Sequence, residues 1–415
     1  MAKKEHIIVG LDIGTTKIRA IVAQVTSDQE INIIGVGSSP NRGLRKGVVV
    51  NIESTVESIK RAVEEAELMA AVQINSVYIG IAGGHISSET STGVVALKRR
   101  EVTRADVQRA IETAHAAAVV SSDRRVLHVL PREFIVDDQE GIREPVGISG
   151  SRLEVDVHIV TGAVTSAQNL LKCVHRAGLD VIEIVLQPLA SSEAVLTEEE
   201  KELGIAMVDL GGGTSDLAIF SDGTISHSAV LPVGGQHITT DLQIGLRTSL
   251  ADAEKIKIRH GSALSCMVKD TEVLEVPSVG GRPPRDISRR QVSEIIEPRV
   301  EEIFDLVLRE IRRSGYEGRL AAGVVITGGT SLLQGMPDAA ERVLDLPGRR
   351  GIPSGVGGLR DIVGNPMFST GVGLILHAHR MDQGFELVGK NAGRKGGTRF
   401  GRWLNRMKSS VLNFF

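Results

Sequence analysis

Two short loops carry residue types that are suited to binding a phosphorylated ligand. In Leu11–Lys17 an aspartate ends an apolar strand and is followed by a glycine turn and two threonines. In Met207–Asp216 the strand again ends in an aspartate, turns on three consecutive glycines and continues with two hydroxyl side chains. Glycines let backbone N–H groups approach an anion closely, and phosphate is a common ligand of such turns. Either loop alone could be an ordinary tight turn, but the pair predicts two halves that close on one nucleotide.

Length and composition indicate a globular protein with at least two major domains. The chain has 415 residues, of which 41% are hydrophobic and 24% are charged, and its formal charge of −3 argues against a general nucleic-acid binder. Cys173 and Cys266 are far apart and predict neither a zinc site nor a disulfide, as expected in a reducing cytoplasm. No apolar run reaches the roughly 18 residues of a membrane span. Four histidines lack metal-ligand spacing and are expected to be structural or surface residues: His85, His115, His128 and His158.

The order of predicted elements places both loops in a duplicated α/β unit. A buried strand that ends in a glycine pair follows the first loop at Val77–Gly84, and a similar strand follows the second at Val324–Gly329. Residues 85–162 interrupt the first unit with a predicted strand, helix, strand and strand. Within them, Thr103 and Asp106 predict a capping box at the start of the helix.

These motifs, in this order, resemble the superfamily of actin, Hsp70 and the sugar kinases over roughly residues 6–380. The resemblance implies two ribonuclease-H-like halves with ATP between them, and it identifies the two loops as the phosphate loops. Gln187 resembles the polar residue that helps to position the attacking water. Glu254 and Lys257 resemble the helix that contacts adenosine, although their spacing also fits a solvated ion pair. Four consecutive residues resemble the adenosine loop: Gly328, Gly329, Thr330 and Ser331.

The resemblance also implies a domain organisation. In chain order the expected segments are 1–84 with 163–197 as the first actin-like half, 85–162 as an inserted subdomain, 198–233 with 316–381 as the second half, 234–315 as a helical subdomain, 382–399 as a flexible linker, and 400–415 as a membrane-targeting helix. The expected fold class is therefore α/β, with duplicated ribonuclease-H-like (actin-like) domains, an inserted strand–helix–strand–strand subdomain and a C-terminal amphipathic helix.

The position of the insertion narrows the resemblance to the FtsA family of bacterial cell division proteins. Actin inserts a subdomain early in its first half, where Ile34–Val50 is too short to hold one. Here the insertion follows Gly84 instead. The segments Ile33–Gly37 and Val276–Arg282 are also similar to FtsA.

Membership of this family would imply a cytoplasmic actin homologue that polymerises on the inner face of the cell membrane at the division site. It would anchor the FtsZ ring by binding the C-terminal peptide of FtsZ to residues 234–315, and it would help to recruit later division proteins. Two alternatives remain open. A small-molecule kinase would need an acidic base and an acceptor pocket, and neither can be assigned. The pilus-assembly actin homologue shares the displaced insertion, but the FtsA-like C-terminal helix argues against it.

The loop residues match the requirements of ATP. Asp12 and Asp209 would hold Mg²⁺ through waters, because Mg²⁺ dehydrates reluctantly. Lys17 is equally well explained as a phosphate contact or as a surface lysine. Gln187 and Asp209 are the candidate catalytic residues, and the neutral Gln187 predicts at most slow hydrolysis. The remaining loop candidates for nucleotide binding are Gly14, Thr15, Thr16, Gly211, Gly212, Gly213, Thr214, Ser215 and Asp216.

The end of the chain changes in character. Residues 382–399 contain five glycines and predict a flexible linker of about 23 Å. Residues 391–415 carry a charge of +6, against −9 for residues 1–390. A basic, aromatic-rich amphipathic helix on a tether is typical of an in-plane membrane anchor; a helix docked on its own globule is the alternative. The candidate membrane-binding residues are Phe400, Arg402, Trp403, Leu404, Arg406, Met407, Lys408, Val411, Phe414 and Phe415.

Overall fold

The computed structural model describes the backbone of residues 6–390 and the side chains of residues 6–381. The chain begins with β1 (His6–Ile13), β2 (Lys17–Val25), β3 (Ile31–Pro40), β4 (Leu44–Arg45), β5 (Val48–Val49), α1 (Ile52–Ala70) and β6 (Ser76–Ile81). Helix α1 starts where the Asn51 side chain accepts a hydrogen bond from the Ser54 N–H at 3.0 Å. Its buried residues Val56, Ile59 and Val63 repeat at helical spacing and cover the strands, as predicted.

The inserted region forms a separate sheet covered by one helix. Its elements are β7 (Ser87–Ala96), α2 (Arg104–Ala117), β8 (Arg124–Val136), β9 (Gln139–Ile142) and β10 (Arg152–Ala163). The sheet order is β7–β10–β8–β9. The predicted capping box of α2 is confirmed, because Thr103 and Asp106 exchange backbone-to-side-chain hydrogen bonds of 2.9 and 3.3 Å. The order strand, helix, strand, strand is confirmed too, and β9 adds a short strand where only turns were predicted.

The remaining elements complete the first sheet and build the second. They are α3 (Val164–Arg176), β11 (Asp180–Leu186), α4 (Gln187–Val195), α5 (Glu198–Leu203), β12 (Ile205–Leu210), β13 (Ser215–Ser221), β14 (Thr224–Leu231), α6 (Gly235–Leu246), α7 (Leu250–His260), β15 (Val273–Val276), β16 (Arg285–Ser288), α8 (Arg289–Ser314), β17 (Gly323–Thr327), α9 (Met336–Leu344), β18 (Gly348–Arg350), β19 (Gly357–Gly358), α10 (Arg360–Val363) and α11 (Ser369–Lys390). The polar loop before α8 is the turn of the hairpin β15–β16.

The two main sheets repeat one pattern of strands, which confirms the predicted duplication. The first sheet has the order β11–β6–β1–β2–β3–β19, and the second has β14–β13–β12–β17–β18. In the first, β1 runs antiparallel to β2 and parallel to β6. In the second, β12 runs antiparallel to β13 and parallel to β17. Strands β1 and β12, which lead into the two loops, therefore occupy equivalent positions.

Helices α4 and α11 lie between the two sheets and share one hydrophobic core with them. This core joins Ile21 of β2 and Met207 of β12 to Ala190 of α4 and Ile375 of α11, all of them fully buried. Helices α1 and α3 cover the outer face of the first sheet, and α6, α8 and α9 cover that of the second. Helices α4 and α11 approach closely at Gly373 of α11, where a Cβ atom would lie 1.8 Å from the carbonyl oxygen of Ala190 in α4.

Helix α11 is longer than predicted. It continues to Lys390 and so includes the first half of the segment 382–399, for which the sequence predicted a flexible linker. The cause is continuous helical sequence, because Gly384 and Gly389 are isolated glycines, which a helix tolerates at a modest cost. Residues 391–399 and the predicted membrane-binding residues of 400–415 lie outside the described residues. Within the described part, no helix is long and apolar enough to cross a membrane.

Candidate functional site

The two glycine loops have the same backbone geometry. In the first loop the Gly14 N–H donates to the Lys17 carbonyl oxygen at 3.1 Å, and in the second the Gly211 N–H donates to the Thr214 carbonyl oxygen at 3.0 Å. Each is a four-residue turn that joins two antiparallel strands. The duplicated sheet order thus produces two matching turns.

The structure brings the two loops into contact. A Cβ atom on Gly212 would lie 2.5 Å from Thr16 Cγ2, and one on Gly213 would lie 2.6 Å from Thr15 Oγ1. Side chains at these glycines would therefore fill the space where the loops meet. The glycines instead leave backbone N–H groups available at the junction.

The strand pairing places a different residue opposite each loop aspartate. Asp12 faces Arg19 across β1 and β2, whereas Asp209 faces Asp216 across β12 and β13. All three carboxyl groups are buried. One guanidinium and three carboxyls therefore lie at the junction of the loops.

Asp12 is held by two groups. Its Oδ2 lies 3.5 Å from Arg19 Nη1, and its Oδ1 accepts a hydrogen bond from Gln187 Nε2 at 3.4 Å. Burial raises the pKa of Asp12 to about 6, against the lowering effect of Arg19. Gln187 begins α4, directly after the parallel strand β11, so the predicted catalytic amide does lie beside the predicted magnesium ligand.

Asp209 is held by hydroxyl groups instead. Its Oδ2 accepts hydrogen bonds from Ser191 Oγ at 2.6 Å and from Thr370 Oγ1 at 3.2 Å. Burial raises the pKa of Asp209, and the two hydroxyl donors oppose that rise. Gly328, with φ of +84°, passes so close that a Cβ atom there would lie 2.3 Å from Asp209 Oδ1.

Asp216 is the least satisfied of the three carboxyls. Its Oδ1 is buried and has no hydrogen-bond partner in the described part of the protein. Burial raises its pKa well above the ordinary value, and the nearby Asp209 adds to the rise. An unpartnered buried oxygen costs stability unless a ligand or water satisfies it, so Asp216 marks a place where a polar group belongs.

Arg19 is a candidate site residue that was not predicted from the sequence. Its side chain is only 12% exposed, and its guanidinium carbon lies 5.2 Å from the centre of the Phe368 ring. Its Nε is buried and has no acceptor among the described residues. Lys17, which was the predicted cation, is exposed at the start of β2. Hairpin register was the available signal, because a turn over 14–17 pairs residue 12 with residue 19.

The hydroxyl residues of the loops divide into two groups. Thr15 and Thr214 are buried at the junction, and Thr16 is exposed beside Gly212. Ser215 points elsewhere, because its hydroxyl donates to the Val233 carbonyl at 2.9 Å. Its contribution is therefore structural in this arrangement.

The predicted adenosine residues lie next to the second loop. Thr330 Oγ1 donates to the Gly211 carbonyl at 2.9 Å, and the Gly235 N–H at the start of α6 donates to the same oxygen at 3.0 Å. Lys257 Nζ reaches back from α7 to the Gly235 carbonyl at 3.1 Å and to Glu254 Oε2 at 2.7 Å. The ion pair considered as an alternative is thus present, but Lys257 is largely buried and ties α7 to α6 at the edge of the site.

The nearby residues Gly329 and Ser331 follow β17 in a single 3₁₀ turn. Ser331 Oγ donates to the Gly328 carbonyl at 2.7 Å and fixes that turn. The structure therefore gathers the predicted residues of both loops and of the adenosine region around one junction, with the exposed Lys17 and the inward-bonded Ser215 at its margins.

The donor set fits a nucleotide phosphate better than a directly bound metal ion. Free backbone N–H groups and the unpartnered Arg19 Nε suit an anion. The described residues contain no group of three or more His, Cys, Asp or Glu side chains that could hold a metal ion. Asp12 and Asp209 already have protein partners, so any role for them toward Mg²⁺ would run through waters, as the sequence analysis expected.

Comparison with known proteins identifies the family. The model of "Cell division protein FtsA" matches residues 206–373, and the model of the "SHS2 domain inserted in FTSA" matches residues 83–161. The FtsA of Pseudomonas aeruginosa is 52% identical over 370 residues, which cover 89% of this chain and 88% of the relative. The FtsA of Neisseria meningitidis is 46% identical and that of Escherichia coli 43%, each over 100% of this chain and at least 99% of the relative.

Solved structures support the fold. The chain is similar to a PilM–PilN type IV pilus biogenesis complex, with a TM-score of 0.64 and 16% identity over 89% of this chain and 98% of the other. It is also similar to MreB5 of Spiroplasma citri bound to ADP, with a TM-score of 0.56 and 14% identity over 92% of this chain and 98% of the other. The fold is therefore actin-like, and the chain belongs to the FtsA family of cell division proteins.

Proposed function

We propose that this division protein binds ATP at the junction of the two glycine loops. The observation that carries the proposal is the pairing of two matching turns with one buried guanidinium, whose Nε has no acceptor among the residues that the structure describes. The phosphates would accept hydrogen bonds from the N–H groups of Gly212 and Gly213 and from the Arg19 guanidinium, with Thr15, Thr16 and Thr214 alongside. MreB5, a structural relative, is a protein whose solved forms hold ADP and AMPPNP.

The adenosine would lie against the second half of the molecule. Gly328–Ser331 and the α6–α7 pair form the edge of the site beside Gly211. Lys257 and Glu254 would contact the sugar or base from α7. Mg²⁺, when bound with the nucleotide, would neutralise phosphate charge, with Asp12 and Asp209 orienting its waters.

Hydrolysis at this site is expected to be slow. Gln187 can orient a water with its amide, but it is neutral and cannot act as a strong base. The buried carboxyl of Asp209 is occupied by Ser191 and Thr370. Nucleotide therefore serves mainly to hold the two halves together in a form that is competent to polymerise.

We further propose that the protein works at the inner face of the cell membrane. Residues 391–415 carry a charge of +6, and the aromatic and aliphatic residues from Phe400 to Phe415 repeat at helical spacing. Such a helix inserts its apolar face below the headgroups, and each basic residue near anionic lipid contributes about 1 kcal/mol. A single helix binds reversibly, so self-assembly into filaments would strengthen attachment by avidity.

The partners that we propose for this protein are those that membership of the FtsA family implies. Binding of the C-terminal peptide of FtsZ to residues 234–315 would connect the FtsZ ring to the membrane, and further contacts would recruit later division proteins. Support comes from membership of the FtsA family and from an exposed apolar set on this region, which consists of Ile244, Leu250, Ile258 and Val273.

Co-sedimentation with anionic liposomes tests the proposal. The full chain should sediment with liposomes and should bring the FtsZ peptide with it when ATP is present. Trp403→Glu should abolish sedimentation without changing ATP affinity, whereas the matched control Trp403→Phe should retain it. Sedimentation of Trp403→Glu at the level of the unsubstituted chain would refute the membrane anchor.

A further inference from the structure

A cleft lies where the inserted sheet meets the second half of the molecule. It has a volume of about 370 Å³, and every residue that lines it has a polar or charged side chain. The edge strands β7 and β14 meet there, because Ser88 Oγ donates to the Ser228 carbonyl at 2.8 Å. The lining residues come from β7, β8, β10, β14 and the end of α8. Ligand pockets are usually lined mainly by apolar groups, so this lining selects a polar ligand.

The charged side chains at the cleft differ in whether they have a partner of opposite charge. Glu310, just behind the cleft, accepts hydrogen bonds from both His227 and Arg313. Arg132 on β8 has no such partner, because no carboxylate in the described part of the chain lies within ion-pair distance of it. Its contacts are with Tyr316, through a hydrogen bond to the hydroxyl and a 5.7 Å approach to the ring. Its Nε is buried and has no acceptor within the described residues.

The neutral donors of the cleft are fixed in place. His158 is 1% exposed, and its Nε2 lies 2.9 Å from Ser228 Oγ. Burial lowers its pKa to about 3, so the ring is neutral at physiological pH and adds no charge. The side chains of Ser88, Thr90 and Ser226 place hydroxyl groups on the lining of the cleft. The opposing charge on the lining is Glu89, which is exposed at the rim.

We propose that this cleft binds a small oxyanion, such as the phosphate group of a phosphorylated metabolite, on Arg132. Arg132 is half-buried and has no carboxylate partner among the described residues, so the guanidinium N–H groups that do not bond to Tyr316 can donate to such a group. Thr90 adds a hydroxyl to the same lining. The volume of about 370 Å³ suits a small molecule, since pockets for small ligands begin at about 300 Å³.

Occupancy of the cleft would join separate parts of the molecule. Arg132 and His158 belong to the inserted sheet, His227 belongs to β14, and Tyr316 follows α8. A ligand that bridges them would hold the inserted subdomain against the second half. The cleft is separate from the glycine loops, so this binding is independent of the proposed ATP site.

Calorimetry with inorganic pyrophosphate tests the proposal. The full chain carrying Gly212→Val, which blocks the junction of the loops, is titrated at constant ionic strength. Adding Arg132→Gln should weaken binding by at least about tenfold, the effect of losing a charged hydrogen bond. The matched control Arg312→Gln, which changes a residue beside Arg313 that is not part of the lining and is paired with Glu317, should change affinity by less than about twofold.

A third variant should change the affinity for pyrophosphate in the opposite direction. Glu89→Gln removes the carboxylate at the rim and should tighten pyrophosphate binding a few-fold. Citrate titrated in parallel distinguishes a site for phosphates alone from one for any small oxyanion. Absence of pyrophosphate binding, or equal loss in the Arg132 and Arg312 variants, would overturn the proposal. Failure of ATP binding by the unsubstituted chain would leave this result unaffected and would count against the ATP site alone.

Discussion

The two glycine loops are alike in backbone and opposite in charge. Each follows a central strand, turns through four residues and returns antiparallel. Across the strands, however, the first aspartate meets a guanidinium at Arg19, whereas the second meets another carboxyl at Asp216. The duplication therefore preserved the turn and changed the residue opposite the aspartate. The first loop pairs its carboxyl with a cation, while the second sets two carboxyls opposite each other and holds Asp209 with hydroxyl donors.

In the proposed ATP site, this difference would give the two halves separate tasks. The first loop would supply the cation for a phosphate, through Arg19. The second would supply carboxyls that have no cationic partner across the strands, beside the metal ion that the nucleotide carries.

Blocking the junction should have the largest effect. Gly212→Val places side-chain atoms where Thr16 lies, because a Cβ atom there would already be 2.5 Å from Thr16 Cγ2. ATP binding, measured by fluorescence of a labelled nucleotide, should fall by at least about a hundredfold, as for a loss of about 3 kcal/mol. The control is Gly318→Val, since no atom lies within 4 Å of a Cβ at that glycine. Equal affinities in the two variants would contradict the site.

Removing the cation of the first loop should have the second largest effect on ATP binding. Arg19→Met keeps much of the side-chain volume but removes the guanidinium that pairs with Asp12. We expect ATP affinity to fall by about ten- to a hundredfold, the range for hydrogen bonds to a charged group. Lys17→Met removes an exposed cation two residues away and should change the affinity by less than about threefold. A larger loss of ATP affinity in Lys17→Met than in Arg19→Met would identify Lys17 as the phosphate contact instead.

Asp216 of the second loop and Asp12 of the first should differ in their effect on stability. Asp216→Asn should raise the melting temperature of the nucleotide-free protein by a few degrees, because burial makes the ionised carboxyl costly at neutral pH. Asp12→Asn should lower stability by about 3 kcal/mol, because it leaves Arg19 buried without its partner. Thermal unfolding followed by circular dichroism measures both.

The pH dependence supplies a control for the stability comparison. A carboxyl whose folded pKa is raised binds more protons in the folded state, so stability is gained as pH falls through the folded pKa. For Asp12 this window lies between about 6 and the ordinary value of 3.8. The unsubstituted protein should therefore become more stable as the pH falls from about 6 towards 3.8, and Asp216→Asn should show a smaller gain over the same range. An unchanged slope in that variant would show that Asp216 ionises normally.

The smallest effect on binding is expected at Gln187. Its amide lies beside Asp12 and not at the glycine turns. Gln187→Ala should leave ATP affinity within about threefold but reduce the hydrolysis rate by at least about tenfold, because it removes a group that orients water. Phosphate release and nucleotide binding measured on the same sample separate the two. A loss of affinity without a change in rate would assign Gln187 to binding.

The sequence was sufficient for the fold because the decisive signals were local. Strand-ending aspartates, glycine turns and the order of elements predicted the duplication and the insertion, and the capping box at Thr103 predicted the start of α2. Arg19 was missed for a physical reason: its importance comes from the partner across the hairpin, and its neighbours Ile18 and Ala20 resemble an ordinary buried strand. The polar cleft around Arg132 was beyond sequence reasoning, because its lining comes from five separate elements.

Helix α11 has a mechanical consequence. Its second residue, Thr370, donates to Asp209, and Gly371 packs against Gly10 of β1, where a Cβ atom on Gly10 would lie 2.8 Å from the Gly371 oxygen. The same helix continues without interruption to Lys390, towards the basic end of the chain. A displacement of α11 along its axis would therefore shift Thr370 relative to the Asp209 carboxyl at the start of the second loop.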